Sequence, residues 1–390
     1  MTRDNRQFAL KCLEEIQKDC LQIRFGDDFD AQFQKFQALK KKAFNIEDYF
    51  ASQPSMSEHD KEQMRQQFQV EFQSTMPTKY QDIDGYSILT KLFQTIETTA
   101  KHLSLTITSQ PIIGTAYSKE YNAFAAKVPT TDEHLIVFEG ELFILANQLA
   151  KIVAQCLPDF KISDESVSFS FKTDRIKNHI LTNKILQQRF ADLVENGIRK
   201  EQATKMKQYY LQEPYGRLQW ELLNSLELFV VGHEYGHIVL GHLANSSTFK
   251  CIIKQKEVEK ISPSWTMEYE ADLMGVTLLI NTMNQESMAP FCYCGAELFF
   301  TFLDLVDRVI SFFDNGKEER SEGSQSHPPP LERRERIRLA LKTLLHPSHL
   351  ESYQVTSEFL ETVYEELWSK YKETMNAALK SSTHSLLPML

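Results

Sequence analysis

The run Leu228–His242 reads Leu-Phe-Val-Val-Gly-His-Glu-Tyr-Gly-His-Ile-Val-Leu-Gly-His and constrains this chain more than any other segment. Leu226, Phe229, Val230, Val231, Ile238, Val239 and Leu240 make it a helix for the interior. Yet it carries His233, Glu234 and His237, and burying two imidazoles and a carboxylate without partners is expensive. The fold therefore has to bring partners to them. At about 3.6 residues per turn, His233 and His237 project from one face a turn apart, with Glu234 beside them. In H-E-x-x-H the two imidazoles suit one zinc ion, and the carboxylate is placed to take a proton from water. The same five residues also arise by chance in surface helices. Gly236, costing roughly 1 kcal/mol relative to alanine inside a helix, points to another backbone passing close by.

A catalytic zinc needs a third protein ligand and an open fourth position. The H-E-x-x-H-x-x-G-x-x-H solution does not apply, because Gly241 and His242 fall out of register with it. At 100° per residue, His242 lies roughly opposite His233, which suits a helix end or a layer behind the ligands. The next predicted helix supplies Glu268-Tyr-Glu-Ala-Asp272, an E-x-x-A-D run whose two acids are four apart and share a face. One acid can ligate while the other accepts a hydrogen bond from a ligating histidine and fixes its tautomer. The plainer reading is a capped, acidic first turn after Ser262-Pro263-Ser264.

H-E-x-G-H paired with E-x-x-A-D resembles the gluzincin metallopeptidases, most closely their M48-type branch. Asn122-Ala123-Phe124-Ala125, followed by Leu135–Phe138, resembles the family's N-A-F-A strand pair. Ser326-His327-Pro328-Pro329, with Arg333 six residues after the histidine, resembles its S-H-P-P element. The likeness spans roughly residues 105–340. It implies an α+β fold: a mostly helical zincin domain with a small β-sheet over 101–345, a helical region over 1–100 and a helical extension over 346–390. It implies one zinc held by His233, His237 and Glu268, with Asp272 behind a ligand histidine, Arg333 in the same layer behind the ligands, and Glu234 as general base. It further implies an extended protein or peptide substrate paired to the Asn122–Ala126 edge, His327 near the oxyanion, and Arg333 bracing the His327 loop.

Hydrophobic content of 42% and charged content of 25% are those of a folded globular chain. The net charge of −10 argues against a general binder of nucleic acid or anionic membrane. Six irregularly spaced cysteines make no disulfide framework, and Cys292 and Cys294 are expected as buried free thiols. The first residues lack a signal peptide's apolar core. The most apolar stretch, Phe291–Phe313, contains Glu297, Asp304, Asp307 and Arg308, too many charges for a membrane span. A cytoplasmic enzyme is the expectation.

Periodicity predicts helices over 1–50, 58–75, 83–103, 140–157, 174–209, 217–243, 331–345 and 351–379. It predicts strands over 103–109, 112–118, 122–128, 134–138 and 167–172, a loop over 246–263, and a mobile segment at 315–326 leading to His327. Two other functional classes share these residues. A structural zinc site usually closes all four positions with Cys and His, and neither motif has a cysteine. A latent or regulatory zinc protein, acting through a protein partner of its N-terminal helices, would keep the same ligands, although zinc binding alone does not require Glu234. A soluble peptidase also needs its cleft guarded, and either residues 1–100 or the 315–326 segment is a candidate cover; the plainer reading makes 1–100 a packed helical layer.

Overall fold

The computed structural model describes residues 3–43, 46–54, 56–73, 76–118, 121–163, 167–243, 248–253, 256–261, 264–285, 293–324 and 327–386. Four helices open the chain: α1 (Arg3–Phe25), α2 (Phe29–Ala43), α3 (Ile46–Ser52) and α4 (Glu58–Gln73). In α5 (Ile83–His102) the Asp82 carboxylate accepts from the Gly85 N–H at 2.9 Å and caps the first turn. Leu89, Leu92, Phe93 and Ile96 then form one buried stripe. The strands β1 (Ile112–Ala116), β2 (Ala123–Lys127) and β3 (His134–Glu139) follow, and α6 (Gly140–Gln155) leaves directly from β3.

These strands form a sheet ordered β1-β3-β2, with β1 parallel and β2 antiparallel to β3. The Glu139 N–H donates to the Asn122 carbonyl at 3.0 Å and carries the pairing one residue further. Ile136 and Phe138 face the main core, while Leu135 and Val137 face α1. There Ala9 and Leu13 pack on Ile112 and Ala116, and Gln17 donates to the Thr115 carbonyl at 2.8 Å. Further along α1, Leu21 packs with Phe33, Phe36, Tyr80 and Tyr117. Leu13 and Leu21 are almost wholly buried, and each such side chain stabilises by about 1.5–3 kcal/mol. So α1 is a layer of the fold covering the sheet's outer face.

A small hairpin, β4 (Phe160–Ile162) with β5 (Val167–Phe169), precedes α7 (Thr173–Thr182) and α8 (Lys184–Asp192), a π-helical turn over Leu193–Arg199 and a 3-10 turn over Ala203–Lys205. The 174–209 stretch is thus several pieces and not one helix. Asn183 breaks it by accepting from the Leu186 N–H at 3.1 Å as the cap of α8. Residues 103–109 are not a strand either: the helix before them ends, Ser104 takes a left-handed φ of 59°, and no neighbouring strand pairs with them among the described residues.

The central helix is α9 (Tyr215–Val239), buried on every side from Ser225 to Ile238 and packed against α5, α6, α10 (Trp265–Gln285) and α11 (Gly295–Asn315). Between α9 and α10 the expected loop is an antiparallel hairpin, β6 (Thr248–Ile253) with β7 (Lys256–Ile261). The chain closes with α12 (Pro330–Leu344) and α13 (Pro347–Leu386), the latter adding Leu360, Val363, Leu367 and Trp368 to the main core. The result is mostly helical with a small sheet, an α+β architecture. Cys12, Cys20, Cys156 and Cys294 are not in disulfides, and Cys294 is buried as expected; Cys292 lies outside the described residues. Among the described residues no helix is long and apolar enough to cross a membrane.

Candidate metal centre and cleft

Helices α9 and α10 approach at glycines. A Cβ on Gly275 would stand 2.9 Å from the His233 backbone nitrogen, and one on Gly232 would stand 3.2 Å from the Gly275 carbonyl oxygen. The backbone expected near Gly236 is α10, whose Met274 and Ala271 line that glycine. This close crossing lets a short acidic side chain on α10 meet the imidazoles of α9.

His233 Nε2 and His237 Nε2 lie 3.2 Å apart, His233 Nε2 is 3.6 Å from Glu268 Oε2, and His237 Nε2 is 3.4 Å from Glu268 Oε1. All three residues are buried. A tetrahedral ion with bonds of about 2.0–2.1 Å sets its ligand atoms roughly 3.3 Å apart, and the two histidines and the two oxygens of the Glu268 carboxylate approach one another at about that spacing, with one atom from each residue within 4.8 Å of the others. The group can hold a metal ion.

Each ligand is held from behind. His233 Nδ1 lies 2.9 Å from Asp272 Oδ1, which turns Nε2 toward the triangle. Asp272 is gripped in turn by Arg333, whose Nε and Nη2 donate to its two oxygens at 2.8 and 2.6 Å. Arg333 Nη2 is also 3.0 Å from Glu268 Oε2, and the guanidinium sits over the Phe300 ring. Arg333 therefore lies in the layer behind the ligands, as expected, but its side chain is buried against the two acids and does not brace the His327 loop. Arg336 instead stacks over Tyr269, and Arg334 donates to Thr301 Oγ1. His242 lies just past the end of α9, where Gly241 at φ 70° turns the chain back, and its Nδ1 is 3.0 Å from His237 Nδ1.

Burial pushes the Glu268 carboxyl up, but His237, Arg333 and His233 outweigh it and hold the group below the usual carboxylate range. Asp272 is likewise lowered, because Arg333 and His233 overcome its burial. Burial depresses His233, yet Asp272 and Glu268 more than restore it and leave it raised. Burial raises the Glu234 carboxyl, and the neighbouring imidazoles and Arg333 offset only part of that.

No family model matches this chain, and no curated protein or solved structure does.

The centre opens on a cleft of about 640 Å³ whose walls include Asn122, Ala123, Phe124 and Ala125 on one side and His233, Glu234, His237, Glu268 and His327 on the other. Strand β2 is the sheet's edge among the described residues, so its outer side faces this cleft with main-chain groups to pair. His327 is partly exposed, with Nε2 3.9 Å from Glu268 Oε1. Its turn is tied to α10: His327 N donates to Ser324 Oγ at 3.0 Å, and Trp265 Nε1 donates to the Ser324 carbonyl at 2.9 Å. Ser326 lies outside the described residues.

The His242 contact fits the helix-end or rear-layer place expected for it, through a turn at Gly241 that takes the chain off the helical wheel. Sequence reasoning did not single out Glu139, which lines the cleft with Ser118, accepts from Ser118 Oγ at 2.7 Å, and is pushed by burial up to about 8.

Proposed function

We propose that this chain is a zinc-dependent endopeptidase of the gluzincin type, cutting an extended stretch of a protein or peptide. The observation that carries the reading is the buried group of His233, His237 and Glu268, whose ligand atoms lie within 4.8 Å of one another, with Glu234 beside it and a sheet edge across the cleft. Two imidazoles and one carboxylate with a side left open are a donor set of catalytic zinc, whereas calcium and magnesium take oxygen ligands. The motif likeness to M48-type enzymes points the same way.

When bound, zinc supplies Lewis-acid polarisation of the scissile carbonyl and makes water a nucleophile near neutral pH. The chain's own residues do the rest. The β2 edge around Asn122–Ala126 hydrogen-bonds the substrate main chain and fixes the scissile bond over Glu234. Glu234 accepts the proton of the attacking water, helped by the raised proton affinity that burial gives it, and passes it to the leaving amine. His327, entering from the opposite wall, donates to the developing oxyanion. Asp272 holds His233 in register, and Arg333 balances the buried negative charge.

Glu234→Gln separates chemistry from binding, because an amide cannot accept the proton. The variant is expected to keep its zinc by elemental analysis and its fold by circular dichroism, and to lose the cut sites seen in cells expressing wild type. Processing of a bona fide substrate by Glu234→Gln at the wild-type rate would sink the mechanism.

A further inference from the structure

The contact between His237 and His242 is ambiguous taken alone. Two neutral imidazoles facing each other through Nδ1, 3.0 Å apart, share one proton, and either can donate. If His242 donates, His237 carries its own proton on Nε2 and presents no lone pair to the triangle. The third group in line removes the ambiguity. Glu270 Oε2 lies 3.1 Å from His242 Nε2, and a carboxylate only accepts. It requires the proton of a neutral His242 on Nε2, which leaves His242 Nδ1 as the acceptor and His237 Nδ1 as the donor. His242 is buried, which disfavours the doubly protonated ring that would donate at both ends.

We infer that His242 and Glu270 are positioning residues that set the tautomer of His237, so that its Nε2 lone pair faces His233 and Glu268. Helix α10 then serves the centre three times in one turn: Glu268 at the triangle, Asp272 behind His233, and Glu270 behind His237 through His242. Ligand histidines held through their second nitrogen lose typically 10–100-fold in metal affinity when that partner is removed. The affinity part rests on the metal-centre reading above; the tautomer part does not.

The test uses the full chain. Zinc affinity is measured by competition with a chelator in wild type, His242→Leu and His242→Gln, with folding followed by circular dichroism. Leucine fills the space without an acceptor and is expected to weaken binding 10–100-fold. Glutamine can accept from His237 Nδ1 through its carbonyl while its amide donates to Glu270, and is expected to stay within a few-fold of wild type. Nitrogen NMR of the histidine-labelled chain, stripped of metal, reads the tautomer directly. His237 protonated on Nδ1 in wild type, and mixed in His242→Leu and Glu270→Ala, supports the relay. His237 protonated on Nε2 in wild type overturns it, as does a folded His242→Gln that binds zinc no better than His242→Leu. A wild-type chain that takes no zinc but shows the Nδ1 tautomer sinks the metal reading and leaves the relay standing.

Discussion

Gly275→Ala tests whether the metal centre is set by how closely two helices approach. The added methyl group would meet the His233 backbone nitrogen at 2.9 Å and its Cα at 3.1 Å, while ordinary contact begins near 3.4 Å. Both atoms are main chain in the middle of α9, so no rotamer change relieves the clash. Helix α10 has to back away by about 0.5 Å, the shortfall between 2.9 and 3.4 Å. For stability the terms nearly cancel: alanine gains about 1 kcal/mol of helix propensity, and overpacking costs roughly 1–3 kcal/mol. For the metal they do not cancel. Ligand distances tolerate about ±0.2 Å, and Glu268 and Asp272 ride on the helix that moves. The expected outcome is a modest loss of melting temperature with a loss of zinc affinity of at least tenfold, measured by chelator competition. Leu273→Ala, on the exposed side of α10, is the control. A Gly275→Ala protein that binds zinc as tightly as wild type would refute the argument that this crossing fixes the ligand triangle.

Three further outcomes are expected. Arg333→Met leaves Asp272 and Glu268 buried without their cation and costs about 3–5 kcal/mol in denaturant unfolding of the metal-free chain; unchanged stability would mean the acids find another partner. Glu139 titrates near 8 when folded and nearer 4.5 otherwise, so the folded chain keeps a proton that the unfolded chain has lost, and stability falls as pH rises through that window. Glu139→Gln should flatten that fall, with no benefit below the window and an upper bound of roughly 5 kcal/mol above it at about 1.36 kcal/mol per unit; parallel pH profiles of the two proteins would contradict the assignment. Deleting residues 1–75 strips Ala9 and Leu13 from the sheet and is expected to abolish cooperative folding; a truncated chain that melts cooperatively would make the N-terminal helices a detachable cover instead of a layer.

What could be read from the sequence was what depends on local pattern. The turn-apart histidines, the acids four apart on the next helix, the α5 stripe and the β1–β3 runs are periodicities, and each reappears in place. What could not be read depends on where the chain turns or on which strands find neighbours. Leu103, Leu105 and Ile107 alternate like a strand, but no described strand pairs with them and Ser104 has already turned the chain. Asn183 caps α8 inside 174–209, a break that the apolar period around it conceals. Thr248–Ile253 and Lys256–Ile261 read as a loop although they pair as a hairpin. Arg333 was found by spacing from His327, but its partners come from α10, a contact no local spacing encodes.

The burial of α9 from Ser225 to Ile238 bears on how a metal held at the proposed centre would exchange. A helix packed against α5, α6, α10 and α11 cannot fray open by itself. Its amides around residues 233–237 belong to the last part of the molecule to exchange with deuterated water, and their protection should equal the global unfolding free energy. The ligands are thus never released by a local opening of their own helix. A chelator has to enter through the cleft beside β2, and the rate at which it extracts the metal should stay flat as urea rises, until the whole chain begins to unfold.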